Sequence, residues 1–183
     1  MTARFIRLAA LTVAAATLAG AAHAALAVGA SAPDFSAQAY LAGKPFTFNL
    51  ADALKKGPVV VYFFPAAFTS GCQIEAHLFA ESADQFKAQG ATIIGVTAGN
   101  TDRVGEFSTD TRYCSGKFPI AADTDGSIAK KYASSLVFKP GWSGRDSYVI
   151  TPKGKIVLAY SDLKPDEHVT KTLDAVKSLK ASH

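Results

Sequence analysis

Cysteine is scarce in this 183-residue chain: Cys72 and Cys114 are the only two, alongside a single methionine and a single tryptophan. Residue 69, three before Cys72, is a threonine, so the Cys-x-x-Cys pair that lets a disulfide exchanger keep both sulfurs at one helix start is absent. Histidine is also sparse. His77, His168 and His183 share no metal-binding spacing and neither cysteine has a neighbouring thiol, so no metal cofactor is expected. Asp123-Thr124-Asp125-Gly126-Ser127 does not meet the needs of a calcium loop, because its glycine falls too early and Ser134 stands where a closing glutamate belongs. It reads as a turn and helix cap. Lys and Arg are spread along the chain with no basic cluster interleaved with aromatics, which argues against a nucleic-acid surface.

Long apolar runs are absent beyond the first 24 residues. Within those residues, Arg4 and Arg7 precede the Ala- and Leu-rich stretch Leu8 to Ala22, and Ala22-His23-Ala24 has the small-x-small form of a cleavage site. The competing reading, a retained anchor, asks for about 20 strongly apolar residues, more than this stretch supplies. A signal peptide over 1–24 and export to the periplasm are therefore expected, with no membrane association afterwards. Residues 25–183 are expected to form a single domain. Without Arg4 and Arg7 the chain carries 17 Lys and Arg against 15 Asp and Glu, so its charge points to no particular partner. An exported protein can tie two cysteines into a structural staple. With 49% hydrophobic residues, however, a chain of this length can bury a sufficient core without one.

Val59 to Phe64 is a continuous β-branched and aromatic run between Gly57-Pro58 and Pro65, the pattern of a central strand buried on both faces. Thr92 to Thr97 is a second. Between them, Ser70 to Gln89 reads as a helix with Ile74, Leu78 and Phe86 on one face and Gly90 as its stop. A helical crossover between two strands implies that they pair in parallel. Asn100 or Thr101 is placed to cap a helix carrying Val104 and Phe107 and reaching Tyr113, and Ser127 to Tyr132 reads as a short helix. Tyr148-Val149-Ile150 and Ile156-Val157-Leu158 form a predicted hairpin, and a closing helix buries Val169, Leu173 and Val176 while Lys171, Lys177 and Lys180 face solvent. The predicted fold is α/β, a mixed central sheet flanked by helices.

The chemically informative segment is Pro65-Ala66-Ala67-Phe68-Thr69-Ser70-Gly71-Cys72, directly after the first buried strand. Thr69 or Ser70 can cap the helix, and Ser70 with Gln73 fits a capping box. Either choice puts Cys72 in the first turn, beside unpaired backbone N–H groups and the positive end of the helix dipole, which favour a thiolate. A thiolate is a nucleophile.

Pro65, Thr69 and Cys72 match Pro-x-x-x-Thr/Ser-x-x-Cys, and here the chain resembles the peroxiredoxins of the alkyl hydroperoxide reductase and thiol-specific antioxidant type. Three more stretches stand with it in family order: Gly29-Ala30-Ser31-Ala32-Pro33-Asp34-Phe35 before it, then Phe118-Pro119-Ile120 through Asp123 and Gly126, and Gly144 to Ile150. The resemblance is strongest to the peroxiredoxin Q, or bacterioferritin-comigratory, branch. It implies a thioredoxin-like fold and an enzyme, a thioredoxin-dependent type of peroxidase, with Pro65, Thr69, Cys72 and Arg145 at the active site and no cofactor.

On that resemblance Cys72 attacks hydrogen peroxide or an organic hydroperoxide, with Thr69, Cys72 and Arg145 binding the substrate and Pro65 limiting water. Glu75 matches an acid of the family that favours the helix dipole or orients Arg145. Phe64, Phe68 and Trp142 are candidates for an apolar collar. The resulting sulfenic acid is resolved by a thiol, and the resemblance points to Cys114, while the better-known position five residues after the nucleophile holds His77. A thioredoxin-like or other dithiol protein would then reduce the Cys72–Cys114 disulfide. A monomer or weak homodimer is expected. The rival readings are a disulfide oxidoreductase, or a non-catalytic module in which Cys72 and Cys114 form a permanent staple.

Overall fold

The computed structural model describes residues 25–181; the expected signal peptide lies outside the described residues. Val59–Phe63 forms β3, and all five of its residues are buried because helices cover both sides of the sheet. Its side chains alternate between two cores, Val60 and Tyr62 entering one, Val59, Val61 and Phe63 the other. On one side of β3 lies β4, Thr92–Thr97, in parallel, and on the other β6, Asp146–Ile150, in antiparallel. With β1 (Ser36–Leu41), β2 (Lys44–Asn49), β5 (Ile120–Ala122) and β7 (Ile156–Ser161) the sheet has the order β2-β1-β5-β4-β3-β6-β7. The predicted mixed sheet, parallel pair and β6–β7 hairpin are all present.

Helices α1 (Leu50–Leu54) and α4 (Ser127–Lys131) bury side chains in the Val59 core, while α2 (Ser70–Ala88), α3 (Val104–Thr109) and α5 (Asp166–Ala181) cover the Tyr62 side. The Asp123 carboxylate accepts from the Ile128 and Ala129 N–H groups and so caps α4, as the turn sequence suggested. Val169, Leu173 and Val176 are buried on α5 as expected, together with His168 and Thr172.

Two expectations need correction. The buried face of α2 is Cys72, Glu75, Ala76, Phe79, Ala80, Ala83 and Phe86, whereas Ile74 is 50% exposed and Leu78 half-buried. Small alanines let α2 lie close to the sheet, and a buried glutamate within that row hid its period. The helix after β4 is also shorter than predicted, ending at Thr109. Asp110 turns extended and its carboxylate accepts from the Arg112 N–H at 2.9 Å, an Asx turn that replaces the next helical turn.

Tyr62 is wholly buried, stacked on Phe79 at 4.3 Å, and its hydroxyl has no hydrogen-bond partner among the described residues. It lies over Gly95, where a Cβ would come within 2.8 Å of the phenol oxygen. Removing a buried, unpaired hydroxyl relieves its desolvation cost. Tyr62→Phe is therefore expected to stabilise the fold by about 1 kcal/mol, read as a higher denaturation midpoint at unchanged m.

Candidate active site

The register of β3 with β6 pairs Phe63 with Asp146, so Arg145 arrives beside the segment that leaves the end of β3. That segment runs on next to the continuation of β4: the Phe64 N–H donates to the Val96 carbonyl at 3.1 Å, and Ala66 bridges to Gly99. A Cβ at residue 99 would stand 2.3 Å from the Pro65 carbonyl oxygen, so this approach requires glycine. The Thr97 hydroxyl lies 3.2 Å from the same oxygen, and the Asn100 amide donates to the Ala67 carbonyl at 2.9 Å. Phe68 takes a left-handed φ of 65°, turning the chain sharply into α2.

Thr69 is the N-cap of α2, but its hydroxyl donates to the Ala66 carbonyl at 3.1 Å and gives no side-chain cap. The Ser70–Gln73 capping box is not formed; the Gln73 N–H donates instead to the Thr69 carbonyl at 2.9 Å. Cys72 nevertheless stands in the first turn of α2. Counted from Thr69, Cys72 is the third helical residue, within the turn whose N–H groups lack helical partners.

Cys72 is 1% exposed, and Arg145 Nη2 donates to its sulfur at 3.5 Å. Three acceptors fix the guanidinium: Nε donates to the Leu163 carbonyl at 2.9 Å, Nη1 to the Gly71 carbonyl at 3.4 Å, and Nη1 also to the Glu75 carboxylate. Gly71 matters for this approach, since a Cβ there would meet Nη2 at 3.0 Å. Burial lowers the pKa of Arg145, but the Glu75 carboxylate and the Cys72 sulfur outweigh it and the guanidinium stays charged. Burial drives the wholly enclosed Glu75 carboxyl up to about 8 against the pull of Arg145. Of the two roles suggested for Glu75, orienting Arg145 is the one seen, with 3.6 Å separating its second oxygen from His168 Nδ1.

Pro65, just past β3, and Thr69, at the start of α2, are both half-buried. The collar is only partly assembled. Phe64 and Phe68 meet through Phe107, at 5.8 and 5.1 Å, and the Arg103 guanidinium covers Phe68. Trp142 lies instead against Gly99, with Lys139 over its ring.

Cys114 sits beyond α3 in a turn whose Ser115 and Gly116 have left-handed backbones. It is wholly buried, and that burial, with Asp110 nearby, raises its thiol pKa. Both cysteines are free thiols in the same apolar core. His77 lies on the exposed side of α2, 3.3 Å from Glu81.

Sequence reasoning missed Gly71, Gly99, Ser147 and His168. The two glycines carry a readable hint in their places beside a motif residue and a strand end, whereas Ser147 and His168 carry none.

The arrangement offers one sulfur held by a charged donor at a helix start, a chemistry suited to nucleophilic attack and to stabilising a departing oxyanion. Residues 28–159 match the AhpC/TSA family. The chain is 29% identical over 139 residues to a chloroplastic peroxiredoxin Q of Sedum lineare, covering 75% of this chain and 72% of that one. It is 32% identical over 126 residues to the chloroplastic peroxiredoxin Q of Populus jackii, 68% of this chain but 58% of the relative, so it spans well under two thirds of that protein. Among solved structures, the peroxidoxin BcpB of Mycobacterium tuberculosis superposes with a TM-score of 0.73 at 26% identity, covering 83% of this chain and 97% of that one. With its thioredoxin-like architecture and these relatives, the chain belongs to the AhpC/TSA family, the thiol-dependent peroxidases known as peroxiredoxins.

Proposed function

We propose that this protein reduces hydrogen peroxide and organic hydroperoxides through Cys72, with Cys114 as the resolving thiol. The observation that carries the reading is the Arg145 fork, which reaches the Cys72 sulfur with one nitrogen while Glu75, Gly71 and Leu163 hold the others. The Cys72 thiolate attacks the terminal peroxide oxygen; an S–O bond forms, the O–O bond breaks, and the other oxygen leaves as alkoxide or hydroxide and takes a proton. Arg145 stabilises that leaving charge. The Thr69 hydroxyl spends its hydrogen on Ala66, which leaves its lone pairs to accept from a peroxide O–H. Pro65 limits water at the sulfur.

Cys72 is then a sulfenic acid. Attack by the Cys114 thiolate forms the S–S bond and breaks the S–O bond, releasing hydroxide that takes a proton to become water, and an external dithiol, thioredoxin-like or otherwise, restores both thiols by exchange and is itself oxidised to a disulfide. Because both sulfurs are buried and burial disfavours the Cys114 thiolate, resolution includes local opening of the 110–116 turn and of the first turn of α2. The left-handed Ser115 and Gly116 mark where the first of these opens. We also propose export to the periplasm, from the character of residues 1–24, and a monomer or weak homodimer as the working form.

The test is one equivalent of hydrogen peroxide mixed with pre-reduced protein, followed by Trp142 fluorescence and non-reducing peptide mapping. A fast change ending in a Cys72–Cys114 disulfide is expected. A slow response, or a disulfide that resists reduction beforehand, would favour the stapled binding module.

A further inference from the structure

Behind the site the Glu75 carboxyl keeps one oxygen bare. Glu75 Oε1 is buried with no hydrogen-bond partner among the described residues, while its companion oxygen binds Arg145. The group nearest it is the wholly buried His168 of α5, whose Nδ1 stands 3.6 Å away. The imidazole is held on both sides. Its Nε2 lies 2.9 Å from the Asp162 carbonyl, which can only accept, so Nε2 carries a hydrogen. In the neutral ring Nδ1 is then an acceptor and takes the Ser147 hydroxyl hydrogen at 2.8 Å. Two acceptors, Nδ1 and Oε1, thus face each other across 3.6 Å in a site closed to water, and a proton on Oε1 joins them once the Ser147 hydroxyl gives up Nδ1 and the two groups close by about half an ångström. The other charged or titratable groups around the pair are Arg145 just before β6, Asp146 at its start, Asp162 after β7, Cys72 on α2 and the Tyr62 hydroxyl from β3. Tyr160 packs edge-on to the imidazole at 4.7 Å.

We infer that Glu75 and His168 hold one proton between them, and that this proton leaves the charge of Arg145 free for the Cys72 sulfur and the departing oxygen. The inference rests on Cys72 being the reactive thiol. With the proton present, Glu75 and His168 are together neutral. Without it the Glu75 carboxylate competes for the guanidinium, and the oxyanion formed when the O–O bond breaks is held less well. Burial keeps the Glu75 carboxyl up to about 8 and holds His168 down to about 4, so the proton rests on the Glu75 side at neutral pH and departs as pH rises past 8. Peroxide reduction is therefore faster below that pH and slower above it. His168 acts here as a positioning residue.

Two readouts test this on the reduced full chain. The first follows the infrared band of the protonated carboxyl together with the ring-nitrogen NMR shifts of His168 through pH 8. Both are expected to change in one step; Glu75→Gln removes the band and the His168 response, and His168→Gln moves the carboxyl step by about a unit. The second is the rate with hydrogen peroxide, expected to fall about tenfold across the same step in the parent and to stay level in Glu75→Gln. Should His168→Gln fail to fold, Ser147→Ala removes the competing hydroxyl while keeping both partners, and is expected to move the step to higher pH. An alkaline fall that persists in Glu75→Gln, or a His168 signal indifferent to Glu75→Gln, would overturn the shared proton. A Cys72 inert to peroxide at every pH would instead overturn the peroxidase reading and leave the infrared and NMR result standing.

Discussion

The Cys72→Ser protein is expected to remove hydrogen peroxide no faster than buffer does, a loss of at least about a thousandfold. A serine hydroxyl nearly matches the thiol in size, so the helix start and the Arg145 contact have no steric reason to change. It does not ionise at working pH, however, and the Arg145 donor 3.5 Å from the sulfur position then has no anion to hold. The loss is chemical, which an unchanged circular dichroism spectrum and thermal midpoint would show. Cys114→Ser separates the two thiols: it is expected to complete one fast reaction with peroxide and stop at a trappable sulfenic acid. If Cys72→Ser retained activity, the reaction would have to begin at Cys114, whose ionisation burial disfavours.

Replacing Arg145 by methionine is expected to lower the peroxide rate by about a hundredfold or more and also to destabilise the fold. The rate falls because the donor for the sulfur and the leaving oxygen is gone. Stability falls because the Glu75 carboxyl and the Gly71 and Leu163 carbonyls lose their shared donor, at a cost of about 1–3 kcal/mol.

This cost depends on pH, with a definite sign. In the wild type the Glu75 pKa is raised from 4.5 unfolded to about 8 folded, so between those values the folded chain keeps a proton that the unfolded chain has released. Its contribution to stability is fullest below 4.5, declines as pH rises, and levels off above 8. Without Arg145 the folded carboxyl is harder still to ionise, so the decline continues beyond 8 and the two proteins diverge in alkali. Denaturant melts of both at neutral and alkaline pH check this. Parallel curves would mean that Glu75 does not titrate against Arg145, and Arg145→Met, Glu75→Gln would identify the carboxyl as the source of any divergence.

Much of the architecture could be read from the chain because it rests on local pattern. The unbroken run at Val59–Phe63 announces a strand covered on both faces, and the Thr92–Thr97 run with a helix between them announces its parallel neighbour. Cys72 at a helix start is equally local, since a strand, a short turn and a capping-type residue place it there whichever residue caps. The details that failed were those where a side chain had a choice of partners. The Thr69 hydroxyl turns back to Ala66 instead of capping forward. Asp110 draws the Arg112 N–H into a turn where helix was expected. On α2 the buried row passes through Glu75, which no hydropathy pattern would send inward.

How distant residues meet is set by packing across the whole molecule. The register of β6 on β3 carries Arg145 to a residue 73 positions away in sequence, and the packing of α5 brings His168 against Glu75. Such meetings depend on strand register and helix docking, which sum many weak contacts over the whole molecule, so no short window of sequence records them. Local pattern alone is enough for the cysteine at a helix start, its seat after a buried strand and the class of fold; the closed polar network behind Cys72, Arg145 to Glu75 to His168, exists because three separate segments bury their polar ends in one place, where each must find its partner among the others.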